Sequence, residues 1–385
     1  MPRGTLRAAR AGPFCGPPSP FINHNALGSA ANATLGRGQE LRASGRTILD
    51  YTVPSANYSA ITPYLLPAGL PKKVNVGDGF ILDSAVKLIG RSPRHTFSSR
   101  EPLTDLDVER INETRFLIAA GANTLKDEFE LAPGFSLQSL AKIKVPVILL
   151  GVGHYGVQAM TQGLSPGSKA LFTAFLERFP YISVRCDASR KYVLDSLPER
   201  SGNILMTSCP VAYPVDNIDM GFQRKDGYRQ LVVTITDRSH LQQQLPILPA
   251  AAQLFPAERR ILALHQDYGA RDLWTFAEGQ GYEVFRGDRY QDFIELYGRT
   301  DVHFGNRVHA HLKCLSFGVI SFCTPFDLRQ SYFAESLDFP LIAKLPSPEI
   351  AGYDFARAVK RREQASRNMA RMLAAIGGLL DAEAA

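Results

Sequence analysis

At 385 residues the chain has room for two domains of about 150 residues each, and its 45% apolar and 21% charged residues are those of an ordinary globular protein. The net charge of +6 permits anionic substrates or a loose association with an anionic membrane surface, but no dense basic stripe interleaved with aromatics is present, which argues against nucleic acid as a partner. The five cysteines (Cys15, Cys186, Cys209, Cys314, Cys323) are odd in number and form no CxxC, which fits a reduced compartment; the longest apolar runs are strand-sized, well short of the about 20 residues that cross a membrane.

Residues 1–45 carry Arg3, Arg7, Arg10, Arg37 and Arg42 against one acid, Glu40, among many Gly, Ala, Pro and Ser. That composition reads as a disordered basic leader, because Pro and Gly interrupt any apolar core a signal peptide would need. From residue 46 apolar runs alternate with amphipathic stretches. FILDSAVKLIG (Phe80–Gly90) has helical spacing, RFLIAAGA (Arg115–Ala122) and VPVILLGVG (Val145–Gly153) are buried-strand patterns, and SKALFTAFLERF (Ser168–Phe179) is a helix. YISVRC is a further strand and SRKYVLDSL a further helix. A polar stretch, Asn217–Gln230, then interrupts the alternation, which restarts with LVVTITDR, RILALHQD, RDLWTFAEGQ, YEVFRG, YQDFIELYGRT, DVHFGN, RVHAHLKCLSFG and VISFCTP. Strands apolar throughout and separated by helices predict parallel sheets covered on both faces. The predicted organisation is an α/β domain over 46–222, a second over 223–346, and amphipathic helices over 347–385, with a hinge near 217–230.

Four stretches carry chemistry. KVNVGDGF (Lys73–Phe80) sets Asn75, Gly77 and Asp78 before a helix, where Asp78 as an N-cap and Gly77 as a turn residue account for two of the three. GVGHYG matches G-x-G-x-x-G, but Gly163, Pro166 and Gly167 delay the next helix to about Ser168, so a dinucleotide site is not expected; the loop is read as a close backbone approach with His154 reaching a cleft. SVRCDAS puts Arg185 at a strand's carboxyl end, where it either pairs with Asp187 or meets a ligand. In FGNRVHAHLKCLSFGV (Phe304–Val319), Gly305 and Asn306 turn the chain and Arg307 opens a helix. Its N-terminus offers free N–H groups, Arg307 a fork for phosphate or carboxylate, and His309 a titratable proton. Helical phase puts His309 and Lys313 on one face and His311 on nearly the opposite one, which disfavours a metal site from His303, His309, His311 and Cys314.

Together these residues resemble the polysaccharide pyruvyl transferase family over roughly residues 70–340. Asn75–Asp78 match its N-x-G-D element, and IAAGANTLKD partly matches a glycine-rich loop, departing at Ala122 and Asn123. Arg185 and Ser189 match R-D-x-x-S with Cys186 in place of the acid, and FGNRVHAHLKCLSFGVISF matches a strand, R-x-H and apolar helix. The resemblance implies two Rossmann-like domains facing across a cleft, similar to the glycosyltransferase B architecture. It implies transfer of pyruvate from phosphoenolpyruvate to two hydroxyls of a sugar or lipid-linked oligosaccharide, in the cytoplasm or at the inner face of the membrane, with no cofactor and no metal. On that reading His309 and Asp78 are catalytic, Arg185, Arg307, Asn306 and Lys313 bind the donor, and Asn75, Gly77, Asn123 and His154 line the acceptor side. A sugar-nucleotide glycosyltransferase of the same architecture and a non-catalytic relative are the alternatives.

Overall fold

The structure is a computed structural model that describes residues 55–65, 75–121, 123–154, 163–213, 227–236, 241–266, 271–287, 289–343, 350 and 355–381. The basic leader, most of the hinge stretch, and Tyr155 and Gly156 of the glycine motif lie outside the described residues. Residues Ile48–Ala385 form one compact unit.

Two parallel sheets organise it. The first is built from β1 (Ser55–Thr62), β2 (Ser92–Ser98), β3 (Leu117–Ala120) and β4 (Val147–Leu150) in the order β2-β1-β3-β4. A parallel bridge, Val152 to Val184, continues it toward the pair β5 (Ile182–Val184) and β6 (Ile204–Met206). The helices between these strands are α1 (Val76–Ile89), α2 (Asp105–Asn112), α3 (Leu137–Lys142), α4 (Pro166–Arg178) and α5 (Asp187–Ser196). The second sheet runs β11-β10-β7-β8-β9, from β7 (Tyr228–Thr234), β8 (Ala257–Leu264), β9 (Glu283–Arg286), β10 (Val302–Gly305) and β11 (Ile320–Cys323). Its helices are α6 (Leu241–Gln244), α7 (Ile247–Leu254), α8 (Arg271–Gly279), α9 (Tyr290–Gly298), α10 (Val308–Ser316) and α11 (Leu328–Leu337), and a long final helix, α12 (Phe355–Asp381), follows.

Every pairing between the strands is parallel, as uninterrupted apolar runs require. Alternate residues serve different cores. Ile118 and Ala120 of β3, with Ile148 and Leu150 of β4, join one core, while Leu117, Ala119, Val147 and Leu149 join another. The first of these cores is shared: it also takes Val232 and Ile261 from the second sheet, Ala310 and Leu312 from α10, and Met369, Met372 and Ile376 from α12. Leu231, Val233, Val302 and Phe304 face a third core on the far side of the second sheet. Strand order reverses between β1 and β3 in one sheet and between β7 and β10 in the other. Ligands of open α/β sheets bind outside the carboxyl ends of strands at such points.

Two helix starts differ from expectation for local reasons, and two strands lack the expected pattern. Helix α1 starts at Val76 because Asn75, rather than Asp78, is its N-cap, accepting from the Gly77 N–H at 3.2 Å. Helix α4 starts at Pro166, a residue suited to the first helical position, behind Ser165 as cap. The strands β1 and β2 have sequences, SANYSAIT and SPRHTFS, without the apolar run that marks the others.

Candidate active site

The turn after β10 carries Asn306 and Arg307, and Arg307 is the N-cap residue of α10, in extended conformation (φ −81°, ψ 99°). Its guanidinium lies along the neighbouring strand ends, donating to the Ile235 carbonyl and the Gln266 amide oxygen at 3.3 Å. One residue into the helix comes His309, only 7% exposed, with an Nε2 that has no hydrogen-bond partner among the described residues. Its Nδ1 faces the start of α1 from the other sheet so closely that a Cβ on Gly77 would stand 2.9 Å away. Glycine at position 77 is therefore a condition of His309 sitting where it does. The backbone joins the same elements, since the Val76 N–H donates to the His265 carbonyl at the end of β8 at 3.3 Å.

From the first sheet, Asp78 stands in the opening turn of α1 and is buried. Burial pushes its carboxyl pKa up, and Arg100, whose Nη2 is 3.1 Å from Oδ2, opposes that shift together with Arg329 and Asn75. Arg185 follows β5 and is 2% exposed. Its Nη1 donates to the Asn123 side-chain oxygen at 2.6 Å, its Nη2 donates to the His154 carbonyl, and its guanidinium carbon lies 5.5 Å from the Phe333 ring centre. No ion pair with Asp187 forms. Gly153 makes room for it, for a Cβ there would fall 2.0 Å from Arg185 Nε.

Charge converges on His309. Its pKa is pushed down to about 3, first by burial and then by Arg185, Arg329 and Arg307. The imidazole is therefore neutral near pH 7, beside guanidinium groups from the end of β5, the start of α10 and the start of α11. Such a group of fixed cations suits a compact, multiply charged anion. That anion would also supply the negative charge His309 needs before it can hold a proton.

The structure brings His309, Arg307, Arg185, Gly77 and Asp78 together and gives other expected residues different work. Asn306 has both ends of its amide engaged: Oδ1 accepts from Thr236 Oγ1 at 2.8 Å and Nδ2 donates to Gln244 Oε1 at 2.7 Å. Lys313 shares the His309 face of α10, as helical phase predicts, but is fully buried, 3.8 Å from Asp83 of α1 and 5.0 Å from the Phe317 ring centre. Asn75 caps α1, Asn123 holds Arg185, and the His154 ring lies edge-on to Tyr332 at 6.1 Å. His303 and His311 point away from His309, and their Nδ1 atoms both lie 2.7 Å from the Ser321 hydroxyl. Among the described residues no three His, Cys, Asp or Glu side chains are placed to hold a metal ion. Two cations at the site were not anticipated, Arg100 and Arg329. Arg329 had a sequence signal: Asp327 and Gln330 form a capping box that marks a helix start just after the last strand.

The family model described as polysaccharide pyruvyl transferase matches residues 75–324, a stretch that runs from the cap of α1 to the end of β11. No curated protein matches the chain. Among solved structures, a Listeria monocytogenes protein provisionally assigned as a UDP-N-acetylglucosamine 2-epimerase is similar at a TM-score of 0.50 and 10% identity, over 84% of this chain and 96% of that one. S. aureus MnaA with UDP (TM-score 0.46, 11% identity, 81% and 92% covered) and the wall teichoic acid polymerase TagF (TM-score 0.43, 10% identity, 86% and 89% covered) are also similar. The fold is the glycosyltransferase B type, two parallel-sheet α/β halves.

Proposed function

Because this chain belongs to the polysaccharide pyruvyl transferase family it is a transferase acting on polysaccharide, and we propose that it moves pyruvate from phosphoenolpyruvate onto two hydroxyls of a sugar as a ketal. The observation that carries this reading is the buried His309 with an unpartnered Nε2 among Arg185, Arg307 and Arg329. Phosphoenolpyruvate carries a phosphate and a carboxylate on a three-carbon frame, so it needs several fixed cations in a small volume. In the proposed cycle the bound donor's charge raises the pKa of His309, and the protonated ring delivers its proton to the donor's methylene carbon. That leaves a cationic centre at C2 stabilised by the attached oxygens. The first sugar hydroxyl adds there and gives up its proton, inorganic phosphate leaves, and the second hydroxyl closes the ketal with loss of its own proton. One hydroxyl proton restores His309 and the other leaves with phosphate. Asp78, with a pKa raised by burial, takes the hydroxyl proton on the α1 side and passes it to the departing phosphate.

The test is incubation with labelled phosphoenolpyruvate and a mixed glycan extract, with phosphate release followed in parallel. Label in a glycan and stoichiometric phosphate are expected. A panel of nucleotide sugars run as thermal shifts covers the glycosyltransferase reading. A saturable shift with a nucleotide sugar and none with phosphoenolpyruvate would replace this proposal.

A further inference from the structure

Helix α11 lies where the two halves meet, yet no motif singled out in the sequence includes it. Its first turn is pinned to the donor-side turn, with Gln330 Nε2 donating to the Asn306 carbonyl at 2.8 Å. Its body meets the first sheet's contribution: Phe333 lies under Arg185, Tyr332 stands edge-on to His154, and the Ser336 hydroxyl accepts from the Asp187 N–H at 2.8 Å. Arg329 occupies the first turn of this helix. Its Nε is 2.9 and 3.0 Å and its Nη2 2.5 Å from the carboxylate oxygens of Asp327, and the side chain remains 25% exposed. The same guanidinium is close enough to act on His309, Asp78 and Arg185.

We infer that Arg329 is a third donor-binding cation, held ready by Asp327, and that it turns its fork from that carboxylate onto the anion when the anion binds. The inference deepens the proposed function and rests on the same site, but it needs only that the ligand be a compact phosphate or carboxylate anion. The physical argument is one of exchange. Arg185 is sealed by Asn123, His154 and Phe333, whereas the carboxylate facing Arg329 belongs to Asp327, two residues away at the start of α11. An incoming anion offers the same bidentate geometry as Asp327 and adds the fields of Arg185 and Arg307, which the Asp327 pairing does not need. Asp327 keeps a second task throughout, because it caps α11 through the Arg329 N–H at 2.8 Å.

The test separates this from a plain structural ion pair by the sign of two substitutions in the full chain. Arg329→Ala removes the cation. Asp327→Asn removes the competing charge and keeps a good helix cap. Phosphoenolpyruvate binding is measured by calorimetry, inorganic phosphate as a second probe, with a thermal melt on each variant. Arg329→Ala is expected to weaken phosphoenolpyruvate about ten- to a hundredfold, Arg329→Lys by less, and Asp327→Asn to strengthen it. Equal weakening by Arg329→Ala and Asp327→Asn would make the pair structural and overturn the inference, as would an Arg329→Ala affinity within about twofold of the parent. If the parent binds inorganic phosphate in an Arg329-dependent way but not phosphoenolpyruvate, the inference stands and the proposed donor falls. If it binds neither, the inference falls as well.

Discussion

His309 is the residue on which the proposed mechanism turns, and its surroundings define what substitution should do. The Nε2 has no partner among the described residues, so His309→Ala removes none of the hydrogen bonds they make. We expect the variant to remain folded in a thermal melt while phosphate release from phosphoenolpyruvate falls by about 10²–10⁴, the usual cost of losing a general acid. Normal turnover would remove His309 from the mechanism. Arg185 is testable without touching it. Gly153→Ala places a Cβ 2.0 Å from Arg185 Nε, a separation that forces the guanidinium out of its place. Donor KM should rise by roughly tenfold or more, since hydrogen bonds to a charged group are worth about 1.5–3 kcal/mol, and kcat should change less. A kcat defect with an unchanged KM would show that Arg185 does not bind the donor. His309 and Arg307 stand out in the sequence because charged and titratable groups interrupt an apolar run. Arg185 does so too, at an apolar strand end. Arg329 does not: the Asp327 and Gln330 capping box marks only a helix start, and an arginine in that polar amphipathic helix is unremarkable by itself.

Helices α1 and α10 meet as elements, and the meeting is fixed at two levels. Near the site it is Gly77 against His309; deeper in the shared core it is Lys313 against Asp83. Burial pushes the Lys313 pKa down to about 8 against the opposing pull of Asp83, which is also 3.2 Å from Lys87. A buried pair of this kind often gains little net free energy, because desolvation offsets attraction. Lys313→Met keeps the bulk, and Lys87 remains beside Asp83. We predict a change in unfolding free energy of no more than about 1 kcal/mol and an unchanged donor KM. A large rise in KM would return Lys313 to the donor site. Among elements, strands with continuous apolar runs were readable as such. β1 and β2 were not, because β1 is buried largely through small and polar residues, Ser59, Ala60 and Thr62 among them, which the packing of neighbouring elements accommodates. α11 escaped notice for a related reason: its contacts are with residues far away in the chain.

For the molecule as a whole, the shared core binds the halves together. α12 follows the second sheet and returns to the first: Asn368 donates to the Met206 carbonyl at 2.9 Å and Arg115 to the Leu380 carbonyl at 3.3 Å. Protease should cut first within the polar stretch 217–230, and the two fragments should still elute as one species, because Met369, Met372 and Ile376 lie in the common core. Separation of the fragments without denaturant would contradict a shared core. Stability should also fall with acid. His303 and His309 have pKa values depressed from 6.5 to about 3, and burial pushes His265 and His311 well down as well. These rings stay neutral in the fold but take up protons in the unfolded chain once pH drops below about 6.5. Stability is therefore complete above that value and is lost progressively toward about pH 3, with each ring contributing up to about 1.4 kcal/mol per pH unit. Urea unfolding measured from about pH 7 to about pH 5 should show the decline, and a flat profile would mean the rings are not held neutral. No helix among the described residues is long and apolar enough to cross a membrane.

Periodicity and apolar runs determined the parallel α/β class, the repeat of the alternation after a polar break, and the placing of Arg185 at a strand end and of Arg307 and His309 at the start of the helix that follows one. Those are local properties: burial on both faces imposes an apolar strand, and a charge at its end violates the pattern where anyone can see it. Tertiary structure alone decided which of these residues meet. The order β2-β1-β3-β4 beside β11-β10-β7-β8-β9 brings the start of α1 against α10. The fold also set Lys313 beside Asp83, engaged both ends of the Asn306 amide, and brought Arg329 near His309. Spacing along a chain cannot report this, because the distances that matter join residues as far apart as Gly77 and His309, and only packing sets them.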